Sequence, residues 1–307
     1  MSSSLINNGD QGGRSVTDNT TRFFALGNST IGAQATEAFV ETPIRDAGDF
    51  KNLYTYVSAN TASVSSTITL RKSVADTALL VTYTSDQTGL KQDSDSVAYA
   101  ATDEACFEVT VPTEAGTNTI TITKLNVEFT PTTTSDCISI LTASGSYTAS
   151  NASASRYAIA FGSLIAEATE ANTKYRIRGS FVSQDFSSYV STNARTTNTI
   201  VRTRKNGADG AQLVTYTSTQ TGFKEDTSNT DTLAAGDDYG YKTLTSTGTG
   251  SLVLVRISST LVNTAAQFIM GSATTNGYAV SQNTTRYYVL GGVVDPGTTT
   301  EANANSL

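Results

Sequence analysis

With 307 residues, 38% of them hydrophobic, the chain is long enough for two ordinary domains, and no apolar run approaches the roughly 20 residues a bilayer requires, so no membrane partner is expected. A net charge of −7 and a pI near 4.7, with no Lys/Arg stripe to offset them, argue against nucleic acid as a partner. The lack of His removes the usual imidazole acid/base and the commonest metal ligand, and two cysteines, Cys106 and Cys137, cannot form a four-cysteine zinc site.

Residues 1–19 are rich in Ser, Asn, Gly and Asp and carry little to bury, so they are predicted to form an N-terminal arm. They hold neither a basic nor an apolar segment of the secretory kind, so export by the general secretory pathway is not expected. A repeat opens next. Thr20-Thr21-Arg22-Phe23-Phe24-Ala25-Leu26-Gly27 returns as Thr284-Thr285-Arg286-Tyr287-Tyr288-Val289-Leu290-Gly291, and Thr36-Glu37-Ala38 returns as Thr300-Glu301-Ala302. A looser middle copy reads Ser155-Arg156-Tyr157-Ala158-Ile159, then Thr169-Glu170-Ala171. A unit of this length is a domain rather than a solenoid turn. The predicted organisation is an arm over 1–19, repeat 1 with its connection over 20–154, repeat 2 over 155–283, and the opening segment of a third repeat over 284–307.

Within repeat 1, residues 64–71 alternate, with Val64, Ile68 and Leu70 on one face and Thr67, Thr69 and Arg71 on the other. A turn at 72–76 leads to a return strand with Leu79, Val81 and Tyr83 on one face, giving a hairpin. Residues 119–123 alternate cleanly, then the parity slips at Lys124 before Leu125, Val127 and Phe129, which predicts a β-bulge. Repeat 2 copies this plan. Arg71-Lys72 becomes Arg204-Lys205, and Asn206-Gly207 supplies a strong two-residue hairpin turn. Gly89 and Gly222 end matching Gln-Thr-Gly loops and are read as turn glycines. The segment 130–154 is a linker or a final strand of repeat 1, with the apolar run 137–141 favouring the strand. Residues 164–171 look helical alone, but the third copy places Pro296-Gly297 there, so a loop is predicted in all copies. No segment sustains a 3.6-residue period. The expected fold class is all-β: two tandem antiparallel β-sandwich domains, jelly-roll-like in their winding, plus the opening of a third repeat. That third opening closes repeat 2, is donated to another subunit, or continues; closure needs the fewest assumptions.

The motifs Arg-Lys-x-x-Ala-Asp, Val-Thr-Tyr-Thr-Ser-x-Gln-Thr-Gly and Ala-Ala-Gly-Asp-Asp give the chain a resemblance to the tandem jelly-roll-like β-sandwich repeats of tailed-bacteriophage structural proteins. The resemblance covers most of residues 20–302 and rests on turn and strand signatures. It implies a virion surface component assembled in the host cytoplasm. A capsid decoration (cement) protein bound to the major capsid protein or other virion subunits is expected, with a tail-fibre or spike adhesin as the alternative. It implies a homo-oligomer, a trimer by preference, and host surface glycan as a further partner. It supplies no catalytic residue and no cofactor.

Candidate sites are few. Arg22, Arg156 and Arg286 precede aromatic pairs or their equivalents and are expected to lie over an aromatic strand or to pair with Glu37, Glu170 and Glu301 of their own units. Asp93, Asp95 and Asp226 occupy matching loops and are weak Ca²⁺ candidates, since the fuller Asp-x-Asp-x-Asp-Gly pattern is missing. Asp103-Glu104 and Asp237-Asp238 pair carboxylates but read as hairpin loops rather than as a glycosidase pair across a cleft. Asn19, Asn151 and Asn283 open glycosylation-like triplets that read better as Asx turns. For Cys106 and Cys137 free thiols are preferred to a disulfide, because repeat 2 has neither residue.

Overall fold

A computed structural model of the chain describes residues 4–27, 33–113, 118–132, 137–150, 154–160, 162–164, 166–263 and 292–293. The chain divides into two units, one comprising Met1–Ser135 with Phe268–Leu307 and the other Asp136–Gln267.

The first unit contains β1 (Ser4–Thr17), β2 (Thr20–Ala25), β3 (Thr42–Pro43), β4 (Gly48–Asn60), β5 (Ser66–Lys72), β6 (Ala75–Tyr83), β7 (Gly89–Tyr99), β8 (Glu104–Val111) and β9 (Thr119–Pro131). Apart from the short β3, the antiparallel pairs are nested: β1 with β9, β2 with β8, β4 with β7, β5 with β6. A long ribbon paired in this way and rolled into two sheets is jelly-roll connectivity, and the two sheets run β1-β9-β4-β7 and β2-β8-β5-β6. Their buried faces meet across Ile68, Leu70, Val81 and Phe107 on one side and Phe50, Leu53, Val57, Ile122, Leu125 and Val127 on the other.

The second unit repeats the plan with β10 (Cys137–Ala149), β11 (Ala154–Ala158), β12 (Gly162–Ser163), β13 (Tyr175–Arg176), β14 (Phe181–Asn193), β15 (Thr199–Lys205), β16 (Ala208–Tyr216), β17 (Gly222–Asp226), β18 (Asp231–Leu233), β19 (Asp238–Thr245) and β20 (Leu252–Asn263). Its sheets run β12-β10-β20-β14-β17 and β11-β19-β15-β16. One further strand, β21 (Gly292–Val293), belongs to the first unit and pairs in parallel with β1.

Several expectations are corrected. Residues 4–17 are not an arm. They form β1, whose backbone pairs along β9 while Ile6 and Val16 are buried; ladder hydrogen bonds come from the main chain, so a polar, Gly-rich sequence can fill the position. Residues 137–149 form a strand, but it is the first of the second unit, holding to β20 the place that β1 holds to β9. The repeat thus begins one strand earlier than its most visible motif. The described part of the third opening, Gly292–Val293, pairs with β1 and not with the second unit that it was expected to close. Val64 lies before β5 and is exposed, while Ile68 and Leu70 are buried. The segments around Glu37 and Glu170 each contain one short 3₁₀ turn, Glu37–Phe39 and Glu170–Thr173.

The parity slip is a bulge at Thr123: Tyr56 faces Lys124 and Val57 faces Ile122, leaving Thr123 without an opposite residue. The second unit has the same slip at Val255, between the Tyr189–Arg256 and Val190–Leu254 pairs. The hairpin β5–β6 turns through Ser73 and Val74, both at positive φ (45° and 65°), whereas β15–β16 turns through Asn206 and Gly207 (51° and 79°).

Candidate functional site

The repeated acidic residues Glu37 and Glu170 anchor the same lock in both units, but with a partner other than the expected one. Arg71 Nε and Nη2 donate to Glu37 at 2.9 and 3.1 Å, and Arg204 Nε and Nη2 donate to Glu170 at 2.8 and 2.9 Å. Each guanidinium also pairs with the carboxylate across its hairpin, Asp76 or Asp209, and donates to a turn carbonyl, Val74 or Gly207. It lies over the aromatic that follows the opening arginine, with Arg71 5.9 Å from the Phe23 ring and Arg204 5.7 Å from the Tyr157 ring. The carboxylates raise both arginines' affinity for their protons, led by the hydrogen bonds to Glu37 and Glu170. Arg22 and Arg156 instead donate to the carbonyls of their own neighbours, Thr21 and Ser155, at 2.9 and 3.0 Å. A bidentate fork needs a guanidinium facing the 3₁₀ turn, and the register puts β5 and β15 there. Arg286 and Glu301 lie outside the described residues.

A second shared element is the loop closed by Gly89 or Gly222. The Tyr83 hydroxyl lies 3.0 Å from the Gly89 carbonyl and 3.1 Å from the Thr55 carbonyl, and Tyr216 stands 3.1 Å from Gly222 and 2.9 Å from Ser188 in the same way. Asn60 and Asn193 each donate to two loop carbonyls, those of Thr84 and Gln87 and those of Thr217 and Gln220. Both glycines have φ above +90° with open space where a Cβ would go, so conformation rather than crowding demands glycine. The Val-Thr-Tyr-Thr-Ser-x-Gln-Thr-Gly motif is therefore a loop-fastening device.

The calcium candidates are hydrogen-bonded to main chain. Asp93 accepts from Leu80 N and Asp95 N at 2.8 and 3.0 Å, and Asp226 accepts from Leu213 N, Ser228 N and Asn229 N at 3.0, 3.2 and 3.1 Å. These donors, with the Asn229 amide, hold the Asp226 carboxyl below the usual range against the opposing effect of its burial. Among the described residues no group of three or more His, Cys, Asp or Glu side chains is placed to hold a metal. Asn19 takes a positive φ of 53° and accepts from Thr113 Oγ1 at 2.8 Å; Asn151 and Asn283 lie outside the described residues. Cys106 is a free, buried thiol in the first unit, with burial pushing its pKa up, while Cys137 belongs to the second. Asp103 caps its own turn through Ala100 N and pairs with Lys72; Asp237 does the same through Ala234 N and Lys205.

The units differ inside. On the buried face where the first unit has Leu70, Leu79, Ala105, Phe107 and Val127, the second has Thr203, Gln212, Tyr239, Tyr241 and Ser259, as the ladders Leu70–Phe107 and Thr203–Tyr241 show. These polar groups satisfy one another. Tyr239 Oη lies 2.7 Å from Ser183 Oγ and 3.1 Å from Ser259 Oγ, Tyr241 Oη lies 2.7 Å from Ser259 Oγ, and the Gln212 amide lies 2.7 Å from Ser183 Oγ. Thr203 donates to Asp231, whose other oxygen accepts from Ala211 N at 2.7 Å. Burial raises both tyrosine pKa values. Sequence reasoning passed over this network, although aligning the two repeats on Arg71 and Arg204 places Thr203 against Leu70 and so carries the signal.

Beside it, where Cys106 in the first unit packs with Ala25 and Val40, the second unit has Gly240. The result is a small recess of about 10 Å³, room for about one water molecule, lined by Glu170, Lys174, Arg204, Asp238, Tyr239 and Gly240 among others. Its carboxylates are neutralised: Glu170 by Arg204, and Asp238 by Arg176 at 2.8 Å and Lys174 at 3.4 Å.

No family model and no curated protein matches the chain. Among solved structures it is similar to a Paenibacillus xanthan lyase at 12% identity and a TM-score of 0.22, covering 82% of this chain and 26% of that one. It is also similar to the insecticidal delta-endotoxin Cry8Ea1 from Bacillus thuringiensis at 10% identity and a TM-score of 0.25, covering 84% of this chain and 60% of that one. The chain therefore spans about a quarter and three fifths of the lengths of these two proteins, and at such scores the likenesses carry no argument about its activity.

Proposed function

We propose that this chain is a non-enzymatic structural protein of a virion surface, acting as a capsid decoration protein. The observation that carries the reading is the duplicated lock. The acidic residue that marks each repeat is engaged with Arg71 or Arg204, a hairpin carboxylate and an aromatic ring, so the repeated chemistry fastens a β-sandwich rather than presenting reactive groups. Together with the motif resemblance, this favours a protein made of rugged display modules. Such a protein would bind subunits of the major capsid protein across their joints and stabilise the shell because it binds only the assembled state.

The test is electron microscopy of native particles labelled with antibody against this chain. Label arrayed over the head, at a copy number near that of the capsid subunits, is expected. Label confined to the tail would replace decoration by the adhesin function, and particles without label would remove the chain from the virion altogether.

A further inference from the structure

We infer that the outer edge of β1 is a strand-exchange slot through which one copy of this chain joins a second copy. In the second unit the outer edge of β10 is filled, in parallel, by the opening segment of its own repeat: Ala143 pairs with Gly162 and Ser144 with Ser163. In the first unit the same edge of the equivalent strand is also filled in parallel, but by the opening of the third repeat: Gly9 pairs with Gly292 and Asp10 with Val293. Aligned in sequence on Arg22, Arg156 and Arg286, Gly162-Ser163 corresponds to Asn28-Ser29 in the first repeat and to Gly292-Val293 in the third, and the slot on β1 holds the third-repeat pair. The equivalent edges of the two units therefore hold openers from two different repeats, that of β10 the opener of its own repeat and that of β1 the opener of the third.

Physics explains the tolerance. The contact is made by main-chain ladder bonds, which any of the openers supplies, and an open sheet edge is a template for whichever strand arrives. An opener carried by a second molecule offers the same backbone as the one carried in cis. The contact between copies would be heterologous, joining the first unit of one chain to the third opening of the next, so it closes into a ring or extends according to geometry. In cis the opener competes at an effective concentration in the millimolar range. Exchange is therefore a minor state in dilute solution and grows with crowding, as on a repeating surface. The inference does not depend on the virion reading, and its test involves no particles.

The experiment uses full-length chains carrying single cysteines, Asp10→Cys in one and Val293→Cys in another bearing a size tag, with each variant alone as the background for the native thiols. The double variant D10C/V293C is expected to close internally on oxidation. The two single variants, mixed at 0.1 mM each, are expected to give a mixed cross-linked dimer in roughly a tenth of chains, rising in proportion to concentration. Adding Gly292→Pro to the V293C chain should abolish that dimer, because proline brings no ladder N–H and fixes φ. Internal closure of the double variant with no mixed dimer at any concentration would overturn exchange. Failure of the double variant to close would remove the slot itself.

Discussion

Removing one carboxylate from each lock should cost the second unit more than the first. In the first unit Arg71 is surrounded by three carboxylates, Glu37 at 2.9 Å, Glu108 at 3.2 Å and Asp76. Glu37→Gln leaves that cation with two anions and relieves an acidic excess. In the second unit the position of Glu108 is taken by Lys242, and Asp209 is shared by Arg202 at 2.9 Å, Lys242 at 3.1 Å and Arg204. Glu170→Gln leaves three cations around one carboxylate. The Arg204 side chain is 10% exposed, so solvent does little to replace the lost partner. A hydrogen bond to a charged group contributes about 1.5–3 kcal/mol and breaking a buried ion pair costs about 3–5. With partial exposure, about 3 kcal/mol is expected for Glu170→Gln and about 1–2 for Glu37→Gln. At the urea sensitivities usual for domains of this size, the larger loss lowers the midpoint by about 1–2 M. The assay is urea titration read by hydrogen exchange, following peptides from 199–216 for the second unit and 66–83 for the first. Equal losses, or a larger loss for Glu37→Gln, would refute the charge-count argument.

Three further outcomes can be checked. Val74→Gly should stabilise the first unit by about 1 kcal/mol, because a β-branched residue at φ +65° is strained, and Gly207→Val should destabilise the second by at least as much; thermal unfolding of both variants decides. Gly222→Ala, at positive φ but in open space, should cost about 1 kcal/mol. Gly250→Ala should cost several times more, because its Cβ would run into the Ala194 carbonyl, and near-equal melting losses would contradict this. Stability should fall at both pH extremes. Tyr83 and Tyr216 are pushed up to about 12 by burial, so their contribution is complete below pH 10 and is lost as pH rises to about 12. Asp237 is held near 2, chiefly by the Ala234 N–H and the Asn206 amide, so its contribution is present above about pH 3.8 and is lost on acidification towards 2; a stability–pH curve flat across both windows would count against these assignments.

The sequence by itself determined what depends on near neighbours. Alternation of Leu79, Val81 and Tyr83 makes a strand, Asn206-Gly207 makes a hairpin turn, and the parity slip at Lys124 marks a bulge, because side-chain direction and backbone φ are local properties. Repetition of these local signals was enough to give two all-β units. Tertiary structure decided what is made between distant segments. It seated β1, which has almost no apolar pattern, since main-chain hydrogen bonds carry no residue code. It chose Arg71 rather than Arg22 as the partner of Glu37, 34 residues away, because only the folded register turns that guanidinium toward the 3₁₀ turn. It also gathered Ser183, Gln212, Tyr239, Tyr241 and Ser259 from four strands into one buried network, where each polar group is acceptable only because the others satisfy it. And it placed Gly292–Val293 on the edge of β1, a choice between interchangeable backbones that side-chain patterns do not encode.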